Sequence, residues 1–200
     1  MPTAPHRRVR DRDIRTALMA RVEEEHRGDP NTMVVPEMGL DAGSVRLDLA
    51  VINGTLHGYE IKSAADTLTR LPAQSVAYSR ACDQVTIVTS PNHLESVREM
   101  VPSWWGILTA VERAGGVCLK EERLGTHNPT VDAYAVAQLL WRDEALELLE
   151  EEGLANGLRS KPRKQLWQAI AKQLPLDVLS EYVRSTIRRR QGWRPDSLPG

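Results

Sequence analysis

The chain is 200 residues long, 41% hydrophobic and 26% charged, which suits one domain with an appendage or two small domains and argues against disorder. No apolar run approaches the roughly 18–20 residues of a membrane span, and the basic N-terminus lacks the apolar core of a secretory signal. Cys82 and Cys118 are too few for a disulfide scaffold or a thiolate-rich zinc site, so a reduced, cytoplasmic protein is expected. The net charge of −1 hides an uneven distribution: residues 158–190 carry nine basic side chains against Asp177 and Glu181, a net +7, and Arg7, Arg8, Arg10, Arg12 and Arg15 crowd the start. Local basic surface of this kind suits a polyanionic partner.

Asp13 can cap a helix over 13–27, since Ile14, Leu18 and Val22 fall on one face. Residues 32–38 read as a first strand. Two further strands, 44–52 and 56–63, are joined at Asn53-Gly54, a strong hairpin signal. A helix over 69–81, a buried strand over 83–89, a short helix over 92–100 and strands near 106–111 and 116–121 follow. Beyond residue 128 the period becomes helical throughout, over 135–152, 162–174 and 177–190. The expected organisation is a mixed α/β part over 1–128 and a basic helical extension over 129–200.

Alternation sorts the hairpin. Val45, Leu47, Leu49 and Val51 share one face of the first strand, with Arg46 and Asp48 opposite; Tyr59 and Ile61 share a face of the second, with Glu60 and Lys62 opposite. If both apolar rows enter one core, Asp48, Glu60 and Lys62 converge. Two carboxylates and an ammonium on adjacent strands form a compact site for a hard divalent cation such as Mg²⁺ or Mn²⁺. A strict two-residue loop would face Asp48 with Tyr59 and separate the carboxylates. Convergence therefore requires an odd-length loop or bulge that sets Asp48 across from Glu60, with Gly54 available for positive φ.

Asp48, a short hairpin and Glu60-Ile61-Lys62 have the spacing of the PD-(D/E)XK nuclease superfamily, which this sequence resembles. More narrowly, Arg-Leu-Asp-Leu-Ala-Val-Ile-Asn-Gly, Leu-His-Gly-Tyr-Glu-Ile-Lys-Ser, Asp-Thr-Leu-Thr-Arg-Leu-Pro-Ala-Gln and Val-Pro-Ser-Trp-Trp-Gly-Ile resemble the bacterial sce7726 family of PD-(D/E)XK-like proteins. The resemblance implies a restriction-endonuclease-like α/β core with a mixed sheet flanked by helices. It also implies that Asp48, Glu60 and the main-chain carbonyl of Ile61 hold Mg²⁺ or Mn²⁺ while Lys62 orients the attacking water. Glu37 matches an acidic position of the family and is the third candidate acid; Glu25 on the first helix competes for that role. Gln74 and Tyr78 share a helix face at i, i+4 and resemble an accessory motif of RecB-like nucleases. Arg70 just before them could meet a phosphate.

Each residue also has a plainer role open to it. Tyr78 suits the core equally well, helix glutamines are usually solvated, and Trp104 and Trp105 suit packing between helix and sheet better than base stacking. Arg163, Lys164, Arg188, Arg189 and Arg190 are either a solvated cap or a phosphate-binding surface. Among the histidines only His57 neighbours the site. The expected activity is metal-dependent hydrolysis of nucleic-acid phosphodiesters, DNA rather than RNA, by a protein with no membrane partner and with a homodimer left open as its assembly. The alternatives are a nucleic-acid-binding or assembly module that keeps the fold without turnover, and an interaction protein with an unused site.

Overall fold

The computed structural model describes residues 9–114 and 116–190. Its elements are α1 (Asp11–Glu25), β1 (Met33–Leu40), β2 (Val45–Ile52), β3 (Leu56–Lys62), α2 (Leu71–Ala81), β4 (Gln84–Thr89), α3 (Leu94–Met100), β5 (Gly106–Arg113), β6 (Gly116–Arg123), α4 (Ala133–Ala137), α5 (Arg142–Glu151), α6 (Arg163–Gln173) and α7 (Leu176–Arg189). The strands form one six-stranded sheet in chain order. β1, β2 and β3 pair antiparallel, β3, β4 and β5 pair parallel, and β6 returns antiparallel to β5. The fold is α/β, with a mixed sheet flanked by helices. Among the described residues no helix is long and apolar enough to cross a membrane.

Helix α1 covers one face of the sheet. Ile14, Leu18 and Val22 are fully buried and pack with Leu49, Val51, Tyr59 and Ile61. Asp13 is not the cap. It lies inside the first turn, where its Oδ2 accepts from the Arg10 backbone N–H at 3.4 Å, so the helix starts two residues before the expected point. On the other face α2 and α3 pack with the C-terminal helices in one continuous cluster that runs from Leu47, Ile52 and Tyr78 through Leu148, Leu166, Ile170 and Val183. Residues beyond 128 therefore cover the α2 face of the sheet and share its core. The period over 135–152 is broken into α4 and α5, because the Trp141 N–H turns to Glu144 Oε2 at 2.6 Å and starts a new helix.

The β2–β3 turn has three residues. Leu49 faces Tyr59, Ala50 faces Gly58 and Ile52 faces Leu56, the register that sets Asp48 in line with Glu60. Gly54 does not use positive φ. Asn53 closes the turn instead, its Oδ1 accepting from the Thr55 N–H at 3.0 Å and from Thr55 Oγ1 at 3.2 Å.

The alternation of β2 is not continuous. Leu49 and Val51 face α1 as expected, but Leu47 lies in the opposite cluster with Ala50 and Ile52. The same happens on β1, where Val35 and Met38 share a face. Both shifts flank the position where Glu37, at φ 54°, lies in line with Asp48 in the β1–β2 register. A left-handed conformation at a non-glycine residue is uncommon and strained, and it re-aims the side chains around it.

Candidate functional site

Glu60 and Lys62 stand at the C-terminal end of β3, and only 2% and 4% of their surface is exposed. Lys62 Nζ donates to Glu60 Oε1 at 2.6 Å and to Gln74 Oε1 at 3.0 Å. Gln74 Nε2 donates to Glu60 Oε1 at 2.7 Å and to the Tyr78 oxygen at 3.1 Å. The Tyr78 hydroxyl lies 2.6 Å from both Glu60 Oε2 and the Arg46 carbonyl. Gln74 and Tyr78 reach this cluster because α2 presents them one turn apart toward the sheet. Tyr78 combines both roles open to it: its ring is fully buried against Trp105, at a centroid separation of 6.0 Å, while its hydroxyl is a member of the polar cluster.

Burial pushes the Glu60 carboxyl above its ordinary range, and the nearby Asp48 charge adds to that; Lys62 and the Tyr78 hydrogen bond oppose it. Burial and the Glu60 charge likewise raise the Tyr78 phenol. A hydroxyl has one proton to give, yet two oxygens lie within 2.6 Å of this one. Tyr78 shares that proton between the Glu60 carboxylate and the Arg46 carbonyl.

Asp48 has other partners. Beyond Leu49 and Tyr59 the β2–β3 ladder opens, and Asp48 Oδ2 accepts the Ile61 N–H at 2.7 Å in place of a backbone carbonyl. Its Oδ1 accepts from Arg15 Nη2 at 2.8 Å, and Arg15 Nη1 donates to its main-chain carbonyl, also at 2.8 Å. The same guanidinium reaches Glu37 Oε1 at 3.2 Å and Asp11 at 3.8 Å, and Arg46 adds a second pairing to Glu37 at 3.6 Å. Glu37, Asp48 and Glu60 thus fall in one row across β1, β2 and β3, in two neighbouring polar groups. Arg15 clamps Glu37 and Asp48, and Lys62, Gln74 and Tyr78 hold Glu60. Arg15 is the site residue that sequence reasoning missed; its only local signal is the i, i+4 pairing with Asp11.

Among the described residues no three His, Cys, Asp or Glu side chains are gathered as a metal cage. The donor set still fits a hard dication. Its atoms are all oxygen, Glu37 and Asp48 already surround one cationic group, and Mg²⁺ is ordinarily bound through one or two carboxylates with retained waters.

Glu25 does not join this group. It pairs with Arg21 at 2.6 Å on the exposed side of α1. His57 faces α1, with its Nε2 2.9 Å from Thr86 Oγ1 and its ring stacked on Tyr59 at 4.2 Å, beside a cavity of about 330 Å³. Burial, with a smaller effect from His26, pushes its pKa down to about 4. Trp105 is fully buried and donates to Ser79 Oγ, which makes it packing between helix and sheet.

The basic candidates divide by direction. Arg70, at the start of α2, is exposed, as are Lys164 and Arg189, while Arg163 lies over the Trp167 ring at 5.2 Å. Arg188 and Arg190 turn inward. Arg188 donates to the Asn53 carbonyl at 2.6 Å. The Arg190 side chain, 4% exposed, bonds Glu144 and the Leu139 carbonyl and stacks over Trp141.

A protein-family profile described as "Bacteriophage P4 protein cII" matches residues 5–198. The chain is similar to "Protein cII" of Enterobacteria phage P4, at 26% identity over 182 residues, covering 91% of this chain and 68% of that one. Among solved structures, it is similar to SPO1766, a protein of unknown function from Silicibacter pomeroyi, at 17% identity and a TM-score of 0.40, covering 81% of this chain and all of the other.

Proposed function

The chain belongs to the bacteriophage P4 protein cII family, and from its own residues we propose that it is a metal-dependent nuclease with a PD-(D/E)XK-type core acting on nucleic acid, DNA in the first instance. The observation that carries this is the buried Glu60–Lys62 pair, held by Gln74 and Tyr78 next to Asp48. Taking both charges out of water is costly, and a hydrophobic pair would fill the space as well or better for stability alone. A buried, paired carboxyl whose pKa is raised by its burial, as that of Glu60 is, is characteristic of functional sites.

In this reading Asp48, Glu60 and the Ile61 carbonyl would hold Mg²⁺ or Mn²⁺, with Glu37 as the third acid. A bound dication supplies Lewis-acid polarisation of the scissile phosphate and lowers the pKa of a coordinated water. Lys62 has three N–H groups, two of them directed at Glu60 and Gln74. The third orients the water or meets a phosphate oxygen, and it brings positive charge to a transition state that gains negative charge. Gln74 fixes the lysine's position. In the same reading Arg70, exposed at the start of that helix, would contact the backbone of the nucleic acid, with Lys164 and Arg189 as further phosphate partners.

Incubation of plasmid and single-stranded DNA with the protein and Mg²⁺ or Mn²⁺ tests the proposal. Cleavage that falls about 100-fold or more in Asp48→Ala and Lys62→Ala is expected. Equal cleavage by the variants, or none by any of them, overturns it. The Arg15 clamp on Asp48 favours a second reading, a nucleic-acid-binding module without turnover, which predicts tight, salt-sensitive binding and no cutting.

A further inference from the structure

We propose that Arg15 is an intramolecular placeholder for the dication, so that metal enters the site only when this side chain leaves. The inference rests on the nuclease reading above and deepens it.

Arg15 Nη2 and Nη1 hold the side-chain and main-chain oxygens of Asp48, each at 2.8 Å, and Nη1 also bridges to Glu37 at 3.2 Å. A dication bound by the same oxygens sits at about 2.0–2.1 Å from them. The guanidinium and the metal therefore cannot share Asp48 Oδ1, and two cationic groups that close would repel. The clamp is also geometrically specific: the planar fork engages two oxygens of one residue and a third on the next strand, which a point charge cannot do.

Release does not require the helix to move. Ile14, Leu18 and Val22 are fully buried and pin α1 to the sheet. The Arg15 side chain itself is 30% exposed, as are Asp11 (51%) and Glu37 (35%) beside it, so a rotamer change frees Asp48 while the helix stays docked. Glu37, which meets Arg15 at 3.2 Å, has a strained backbone conformation, φ 54°, a feature that clusters at ligand clamps and switch regions.

Mn²⁺ binding, read from the electron paramagnetic resonance of free Mn²⁺, tests this without relying on cleavage. Wild type, Arg15→Gln, Arg15→Lys and Asp48→Asn are compared after circular dichroism has shown the same fold. Arg15→Gln is expected to bind Mn²⁺ about tenfold or more tightly than wild type, since the metal no longer displaces two charge-assisted hydrogen bonds. Arg15→Lys, a cation without the fork, should lie between them, and Asp48→Asn should lose the site. Arg15→Gln binding Mn²⁺ equally or more weakly, with Asp48→Asn still defective, overturns the placeholder role and leaves the nuclease reading standing. If no variant binds Mn²⁺, both fall.

Discussion

At the scale of single residues, the Glu60–Lys62 pair shows how an ion pair can be held inside a fold. Neither charge would remain buried alone: Glu60 accepts hydrogen bonds from Lys62 and Gln74 on one oxygen and faces Tyr78 with the other. Lys62→Met removes the cation bonded to Glu60 and leaves a carboxyl whose pKa burial already raises. A carboxyl raised in the fold binds more protons folded than unfolded. The stability linked to it is therefore complete at low pH and lost as pH climbs through the folded value. The variant should lose about 3 kcal/mol at pH 8 and progressively less as the pH falls and Glu60 takes up a proton. Denaturant melts at pH 5 and pH 8 measure this; a pH-independent loss would show that Lys62 does not balance Glu60. The alignment of Asp48 with Glu60 on neighbouring strands was legible from alternation, whereas their separation into two polar groups was not. Arg15 was not, because nothing near it in the chain marks a partner on β2.

At the scale of elements, β3 has distinct chemistry at its two ends. Its C-terminal end carries Glu60 and Lys62 toward α2, and its N-terminal part carries His57 toward α1. His57 is half-buried and its surroundings push its pKa down to about 4, against about 6.5 in an unfolded chain. The unfolded state thus takes up a proton that the folded state refuses, and stability should fall as pH drops from about 6.5 toward 4, by up to about 3 kcal/mol. His57→Gln, which keeps a hydrogen-bonding group near Thr86, should flatten that slope in urea melts between pH 4 and 7. An unchanged slope would mean that His57 is accessible to protons in the fold. The hairpin also shows what patterning can and cannot say. Its register was readable, because only one pairing brings Asp48 level with Glu60. The way the turn closes was not: Asn53 bonds Thr55, and Gly54 keeps an ordinary φ. Nor was the reversal at Leu47, which lies beside the strained conformation of Glu37 on the neighbouring strand.

At the scale of the whole molecule, the change of secondary structure near residue 128 is not a break in the core. Helices α4 to α7 bury their apolar faces in the cluster that covers the α2 side of the sheet. Three arginines of the last helix and its end fasten it there: Arg184 to Asp83 at 3.1 Å, Arg188 to the Asn53 carbonyl and Arg190 to Glu144. Arg190→Ala leaves Glu144 and the Leu139 carbonyl without this donor and should cost about 2–4 kcal/mol. The loss should appear as one shifted transition, with circular dichroism and tryptophan fluorescence coinciding, because sheet and helices share a core. Separate melting of a helical part would contradict that architecture.

By itself the sequence determined the α/β class, the order of most elements, the β2–β3 register and the carboxylates and lysine that line up across it. These follow from periodicity and turn chemistry, which act over a few residues and are written locally. Tertiary structure decided which charges meet. The 33-position separation of Arg15 and Asp48 leaves no local trace of their pairing, and the inward turn of Arg188 and Arg190 depends on carbonyls and carboxylates 135 and 46 residues away. A basic run reads the same in sequence whether it faces water or a buried partner; only packing assigns each guanidinium to one or the other.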